Sequence, residues 1–112
     1  MAKIGQGNIT SGSNCRGVLR VVESVEDVLR LLKEDLSDAI LLTPTASATI
    51  MTPLFPRIIG VVCTTGGETS HVAIVAREFD LACIMGVQFN SNEKLDGCVV
   101  SMNAQGEIFT ES

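Results

Sequence analysis

Apolar residues in this chain fall into short runs broken by polar and glycine-rich stretches, and the spacing within the runs changes along the sequence. Residues 17–22, "GVLRVV", are rich in β-branched side chains and predict a strand. In "SVEDVLRLLKEDL" the spacing switches to three and four, placing Val25, Val28, Leu29, Leu32 and Leu36 on one helical face. Ser24 followed by Asp27 adds an N-terminal capping pattern, so a helix is predicted from there. "AILL" (39–42) and "IIGVVC" (58–63) are unbroken apolar runs, the pattern of strands buried on both faces. Between them "TPTASATIMTPLFPR" reads as a Thr/Ser/Pro-rich loop with one helical turn between Ile50 and Phe55. "LACIMGV" (81–87) and "GCVVSM" (97–102) predict two more strands, and "NAQG" turns the latter into a hairpin with "EIFT". Residues 1–16 are polar and glycine-rich, either a loop or an irregular first strand. Strands alternating with helices and ending in a hairpin predict an α/β domain, its mixed sheet flanked by helices.

The stretch "TTGGETSHVAIVARE" (64–78) joins the strand at 58–63 to a second predicted helix and holds the one histidine. Gly66 and Gly67 suit a tight turn that needs positive φ. Thr69 or Ser70 suits the N-cap position. Val72, Val75, Ala76 and Phe79 share one helical face, which should pack on the sheet. His71 is rotated roughly 100° from Val72 within the first turn, so it should look outward. A helix N-terminus offers unpaired N–H groups and a partial positive charge, which favour an anion and disfavour an imidazolium. A neutral imidazole in that place could be a nucleophile whose phosphoryl group meets the helix-end donors. It could equally be an ordinary residue at a loop–helix junction, and the residues alone leave both readings open. No G-K-[ST] follows the glycines, so a Walker-type phosphate loop is excluded, and no G-x-S-x-G elbow supports a hydrolase.

The 112 residues fit one domain, 1–112, and 46% hydrophobic content argues against disorder. Eight Lys and Arg against 13 Asp and Glu give a net charge of −5, which argues against nucleic acid as a partner. No apolar run approaches the roughly 18–20 residues of a membrane span, so a cytoplasmic protein without membrane partners is expected. Cys15, Cys63, Cys83 and Cys98 form no C-x-x-C pair and lie far from His71 in sequence, so buried reduced thiols are expected rather than a metal site.

"GGETSHVAIVARE" resembles the signature of the mobile, swivelling phosphohistidine domain of phosphoenolpyruvate-utilising enzymes, such as pyruvate phosphate dikinase, phosphoenolpyruvate synthase, enzyme I and the rifampin phosphotransferases. The resemblance runs through "GVLRVV", "AILL", "TPLFPRIIGVV" and "DGCVVSMNAQGEIF", nearly the whole chain. It implies a swivelling β/β/α domain that carries a phosphoryl group between two active sites. It further implies that His71 is the transiently phosphorylated histidine and that Thr69 contacts the phosphoryl group or is a regulatory phosphorylation site. Ser70 matches the adjacent serine, and Gly66 and Gly67 match glycines that let partner sites approach. For Thr69 and Ser70 a plain helix-capping role stays open beside phosphate contact.

ATP or phosphoenolpyruvate and Mg²⁺ are implied on partner parts, namely a nucleotide-binding, ATP-grasp-like domain and a phosphoenolpyruvate- or acceptor-binding one. Neither fits in 112 residues, so this chain is expected to act as a separate docking subunit or as a piece of a longer protein. Three places depart from the family pattern. Ser47, Ala48 and Thr49 stand where Thr-Asp-Pro is common, Asp80-Leu81-Ala82 replaces Gly-Ile-Pro, and Glu68 adds a negative charge. These motivate a rival expectation, a non-catalytic regulatory or docking module on the same fold.

Overall fold

A computed structural model describes residues 2–45, 48–90 and 95–111. Ser47, one of the departures noted above, lies outside the described residues. Seven strands are present: β1 (Ala2–Ser11), β2 (Cys15–Val21), β3 (Ala39–Thr43), β4 (Gly60–Cys63), β5 (Ala82–Phe89), β6 (Val99–Met102) and β7 (Glu107–Thr110). Helices α1 (Val25–Leu31) and α2 (His71–Glu78) and a 3₁₀ segment (Thr49–Arg57) connect the middle strands. The expected α/β class and mixed sheet are both present. β2, β3, β4 and β5 run parallel to one another, while β1, β6 and β7 join the sheet through antiparallel pairs.

The sheet departs from expectation by closing on itself in the order β1-β5-β4-β3-β2-β6-β7. The first strand makes the closure: β1 pairs with β5 and also with β7. Of the two readings of residues 1–16, the irregular strand is the observed one, with register shifts against both partners. Such irregularities increase local twist, which lets one strand serve two others at a barrel seam. Gly7 donates its N–H to Gly106 O at 2.8 Å there. A Cβ on Gly106, whose φ is +78°, would lie 2.0 Å from Gly7 O. Only glycine permits both that backbone and that approach.

Closure splits the apolar side chains into two cores. Leu19, Ile40, Leu42, Val62, Ile84 and Val100 fill the barrel interior. Their alternates Leu41, Val61, Cys63 and Cys83 face outward and meet Leu31, Met51, Phe55, Val72 and Ala76 of the helical segments. This explains why β3 and β4 are buried at every position, as their unbroken apolar runs predict. The thiols follow: Cys63 and Cys83 are buried, Cys15 and Cys98 half-buried, and burial pushes the Cys15 and Cys83 thiols up, away from the reactive thiolate.

Helix α1 starts where predicted. Ser24 Oγ accepts from Asp27 N, and Asp27 Oδ2 accepts from Glu23 N at 2.8 Å. It stops five residues earlier than the apolar spacing suggests. The N–H groups of Lys33 and Glu34 turn to carbonyls three residues back, and Arg57 donates to Leu32 O and Glu34 O. Leu36 is buried from the following loop, and Leu31 replaces Leu32 on the inner face. Val25 and Leu29, expected on the inner face with Val28, are each 55% exposed.

Candidate functional site

Strand β4 ends at Cys63, and the segment beyond it is tied to the segment that follows β3. Thr64 N donates to Thr43 O, Thr65 Oγ1 donates to Pro44 O at 2.9 Å, and Cys63 Sγ donates to Thr45 O. Gly66 then takes φ +78°, as the sequence pattern requires. Its carbonyl lies against Gly86, where a Cβ would come within 3.2 Å. Gly86, itself at φ +63°, thus lets the glycine turn sit down on β5. The residue sits in plain view in "LACIMGV", but only the turn's position in space gives it meaning.

The turn closes through a reciprocal pair. Ser70 N donates to Gly67 O at 3.0 Å, and Gly67 N donates to Ser70 Oγ at 2.8 Å. Ser70 therefore occupies the N-cap of α2 by backbone conformation, while its hydroxyl is spent on the turn rather than on the helix. The first-turn N–H groups of α2 receive no side-chain cap, and the first turn carries no acidic residue. Both features leave the helix end receptive to an anion. Thr69 is exposed beside it, and neither it nor Ser70 caps the helix through a side chain. Arg77, in the last turn of α2, reaches back and donates to Glu68 O at 2.8 Å, fixing the turn's far side. The exposed Glu68 thus has its main chain, rather than its carboxylate, in the turn's framework.

His71 is the first residue of α2 and is exposed, as its rotation from the buried Val72 predicts. Ala73 and Ala76 bury with Val72, and Val75 packs against the same core. Phe79, expected on the buried face, is instead 41% exposed and meets the fully buried Phe55 with its ring tilted 45°, the ring centroids 6.1 Å apart. One side of the His71 ring is held: Nδ1 accepts a hydrogen bond from Ala48 N at 3.1 Å. The departure from the family pattern at Ala48 marked this place, but its contribution is a main-chain N–H, which its side chain does not reveal. Among the described residues, no group of three or more His, Cys, Asp or Glu is arranged to hold a metal ion. No helix among them is long and apolar enough to cross a membrane.

The scaffold is a closed α/β sheet that presents one exposed histidine on an uncapped helix end, against a glycine turn. The comparisons with known proteins agree on which scaffold. Residues 36–106 match the family described as "PEP-utilising enzyme, mobile domain", and the chain belongs to that family. It is 30% identical over 95 residues to chondramide synthase cmdD of Chondromyces crocatus, covering 85% of this chain and 2% of that protein. It is 36% identical over 72 residues to the rifampicin phosphotransferase of Bacillus subtilis (strain 168), covering 64% of this chain and 8% of that one. A probable phosphoenolpyruvate synthase of Archaeoglobus fulgidus is 27% identical over 95 residues, 85% of this chain and 12% of that protein. Among solved structures, the N-terminal domain of Enzyme 1-Nitrogen superposes with a TM-score of 0.56 at 24% identity, over 70% of this chain and 32% of that one, a likeness of fold. The chain thus spans only a small fraction of the length of the curated relatives it matches.

Proposed function

We propose that this chain is a phosphohistidine domain, residues 1–112, that carries a phosphoryl group on His71 between two partner sites. The observation that carries the reading is the placement of His71: exposed, at the start of α2, beside first-turn N–H groups that Ser70 leaves uncapped. Family membership and the phosphotransferase and synthase names of the relatives support it. In the first site a ring nitrogen attacks a phosphorus of ATP, or the phosphorus of phosphoenolpyruvate. The P–O bond to the leaving group breaks as a P–N bond forms. In the second site the P–N bond breaks and an acceptor oxygen takes the phosphoryl group. Charge spreads over the phosphoryl oxygens in such transfers, so most of the acceleration comes from positioning and cations. A chain of net charge −5 supplies few cations. Mg²⁺ and Arg or Lys belong to the partners: a nucleotide-binding, ATP-grasp-like part and a phosphoenolpyruvate- or acceptor-binding part.

In this reading Gly66 and Gly67 keep the turn low enough for a partner to reach His71. Thr69 and Ser70 line the phosphoryl group, and the domain moves between sites as a swivelling β/β/α unit. Mass spectrometry of the protein isolated from its own cells without acid tests it. A phosphoramidate on His71, absent from His71→Asn, is the expected result. Radiolabel from ATP or phosphoenolpyruvate that persists in His71→Asn overturns the assignment. Consistent absence of the phosphoramidate favours the docking-module reading that Glu68 motivates.

A further inference from the structure

We propose that the main-chain N–H of Ala48 fixes the ring tautomer of His71 and holds the ring in a non-attacking state until a partner engages it. The consequence for transfer rests on the carrier reading above, whereas the tautomer itself does not. Ala48 is fully buried and its N lies 3.1 Å from His71 Nδ1. An amide N–H can donate but never accept, so Nδ1 must present its lone pair to it. A neutral imidazole has one ring proton, which then resides on Nε2. The Nδ1 lone pair is occupied by Ala48, and a protonated Nε2 has no free in-plane lone pair. Neither nitrogen can attack phosphorus while the contact stands.

A hydroxyl or carboxylate partner could accept a hydrogen bond from a protonated Nδ1 and so leave Nε2 bare. A backbone N–H cannot, because two hydrogens would then face each other. The competent ring, with its proton on Nδ1 and a lone pair on Nε2, must therefore leave Ala48. A partner site that uses His71 supplies an acceptor, a carboxylate or carbonyl oxygen, for the Nδ1 proton. Reactivity is thereby coupled to docking, which protects the exposed histidine from adventitious phosphorylation.

The test needs neither partner nor natural donor. In long-range ¹H–¹⁵N correlation spectra of the ¹⁵N-labelled chain, at a pH where the ring is neutral, Nδ1 should resonate as a bare ring nitrogen and Nε2 as a protonated one. The reverse pattern, or an averaged pair, overturns the proposal. Ala48→Pro deletes this N–H at a φ of −86°, close to proline's range, and leaves Ala48 O accepting from Met51 N and Thr52 Oγ1. This variant should show averaged tautomers and react with phosphoramidate about threefold faster or more. In that reaction the P–N bond of the reagent breaks, a P–N bond to the ring forms, and ammonia leaves with the ring proton. An unchanged rate in a folded Ala48→Pro protein overturns the latch. If that variant does not fold, amide exchange at Ala48 decides: it should accelerate in His71→Ala, and unchanged protection refutes the contact. A docking module that never carries phosphate would give the same spectra, so failure of the carrier reading and failure of the latch are told apart.

Discussion

Asp80 should make this protein less stable than glycine in its place, and the structure says by how much. Helix α2 ends in a Schellman arrangement: Asp80 N donates to Arg77 O at 3.2 Å and Leu81 N donates to Ala76 O at 2.9 Å. The arrangement requires a left-handed residue after the cap, and Asp80 takes φ 58°, the one non-glycine with positive φ among the described residues. A side chain there costs about 1–2 kcal/mol, with Asp at the low end because its short polar side chain tolerates the region. Its carboxylate also faces the negative end of the helix dipole, worth about 0.3 kcal/mol at an exposed position. Glycine removes both costs but returns about 0.4–1 kcal/mol through the entropy of the unfolded chain. Asp80→Gly should therefore stabilise by about 0.5–1 kcal/mol, and Asp80→Asn, which removes only the charge, by about 0.3 kcal/mol. For a domain of this size 1 kcal/mol moves Tm by roughly 4 °C, well within reach of thermal and urea denaturation. If Asp80→Gly is no more stable than the parent, or if Asp80→Asn recovers the whole gain, the backbone argument is wrong.

Three further outcomes follow from the same geometry. Gly106→Ala places a Cβ 2.0 Å from Gly7 O at a φ of +78°, so it should destabilise by about 3 kcal/mol or more in urea titrations, or fail to fold. Gly67→Ala meets no atom within 4 Å, so its stability should stay within about 0.5 kcal/mol. On the carrier reading, phosphoryl transfer to it from a partner should nonetheless slow. Hydrogen bonds hold several carboxyls below their ordinary range: Glu34 through Arg20, Asp27 through the N–H of Glu23, Asp35 through that of Ser37, and Glu107 through Asn103 and Lys3. A depressed folded-state value means stability that is complete above the unfolded value of about 4 and lost as pH falls through the folded one. Urea midpoints should therefore drop on acidification below about pH 4, and Arg20→Met should flatten the part of that drop due to Glu34.

Much of the site was legible beforehand. The glycine turn, the start of α2, the buried Val72 and Ala76 and the outward His71 follow from local conformational preferences and 3.6-residue periodicity, which act between residues close in sequence. The buried middle strands were legible for the same reason: a two-sided burial leaves an unbroken apolar run. The length of α1 was not, because its end is set by Arg57, more than twenty residues away, taking the carbonyls of Leu32 and Glu34.

What the sequence by itself determined was most of the elements and the outward place of His71 at the start of α2. Barrel closure was decided only in three dimensions, since β1 reaches β5 and β7 across most of the chain and its polar composition hides the pairing. The same holds for Ser70, whose hydroxyl serves the turn and not the helix. It holds most of all for the state of the His71 ring. That depends on an N–H every residue but proline carries, so only its position 3.1 Å from Nδ1, brought there across 23 residues of chain, gives it a role.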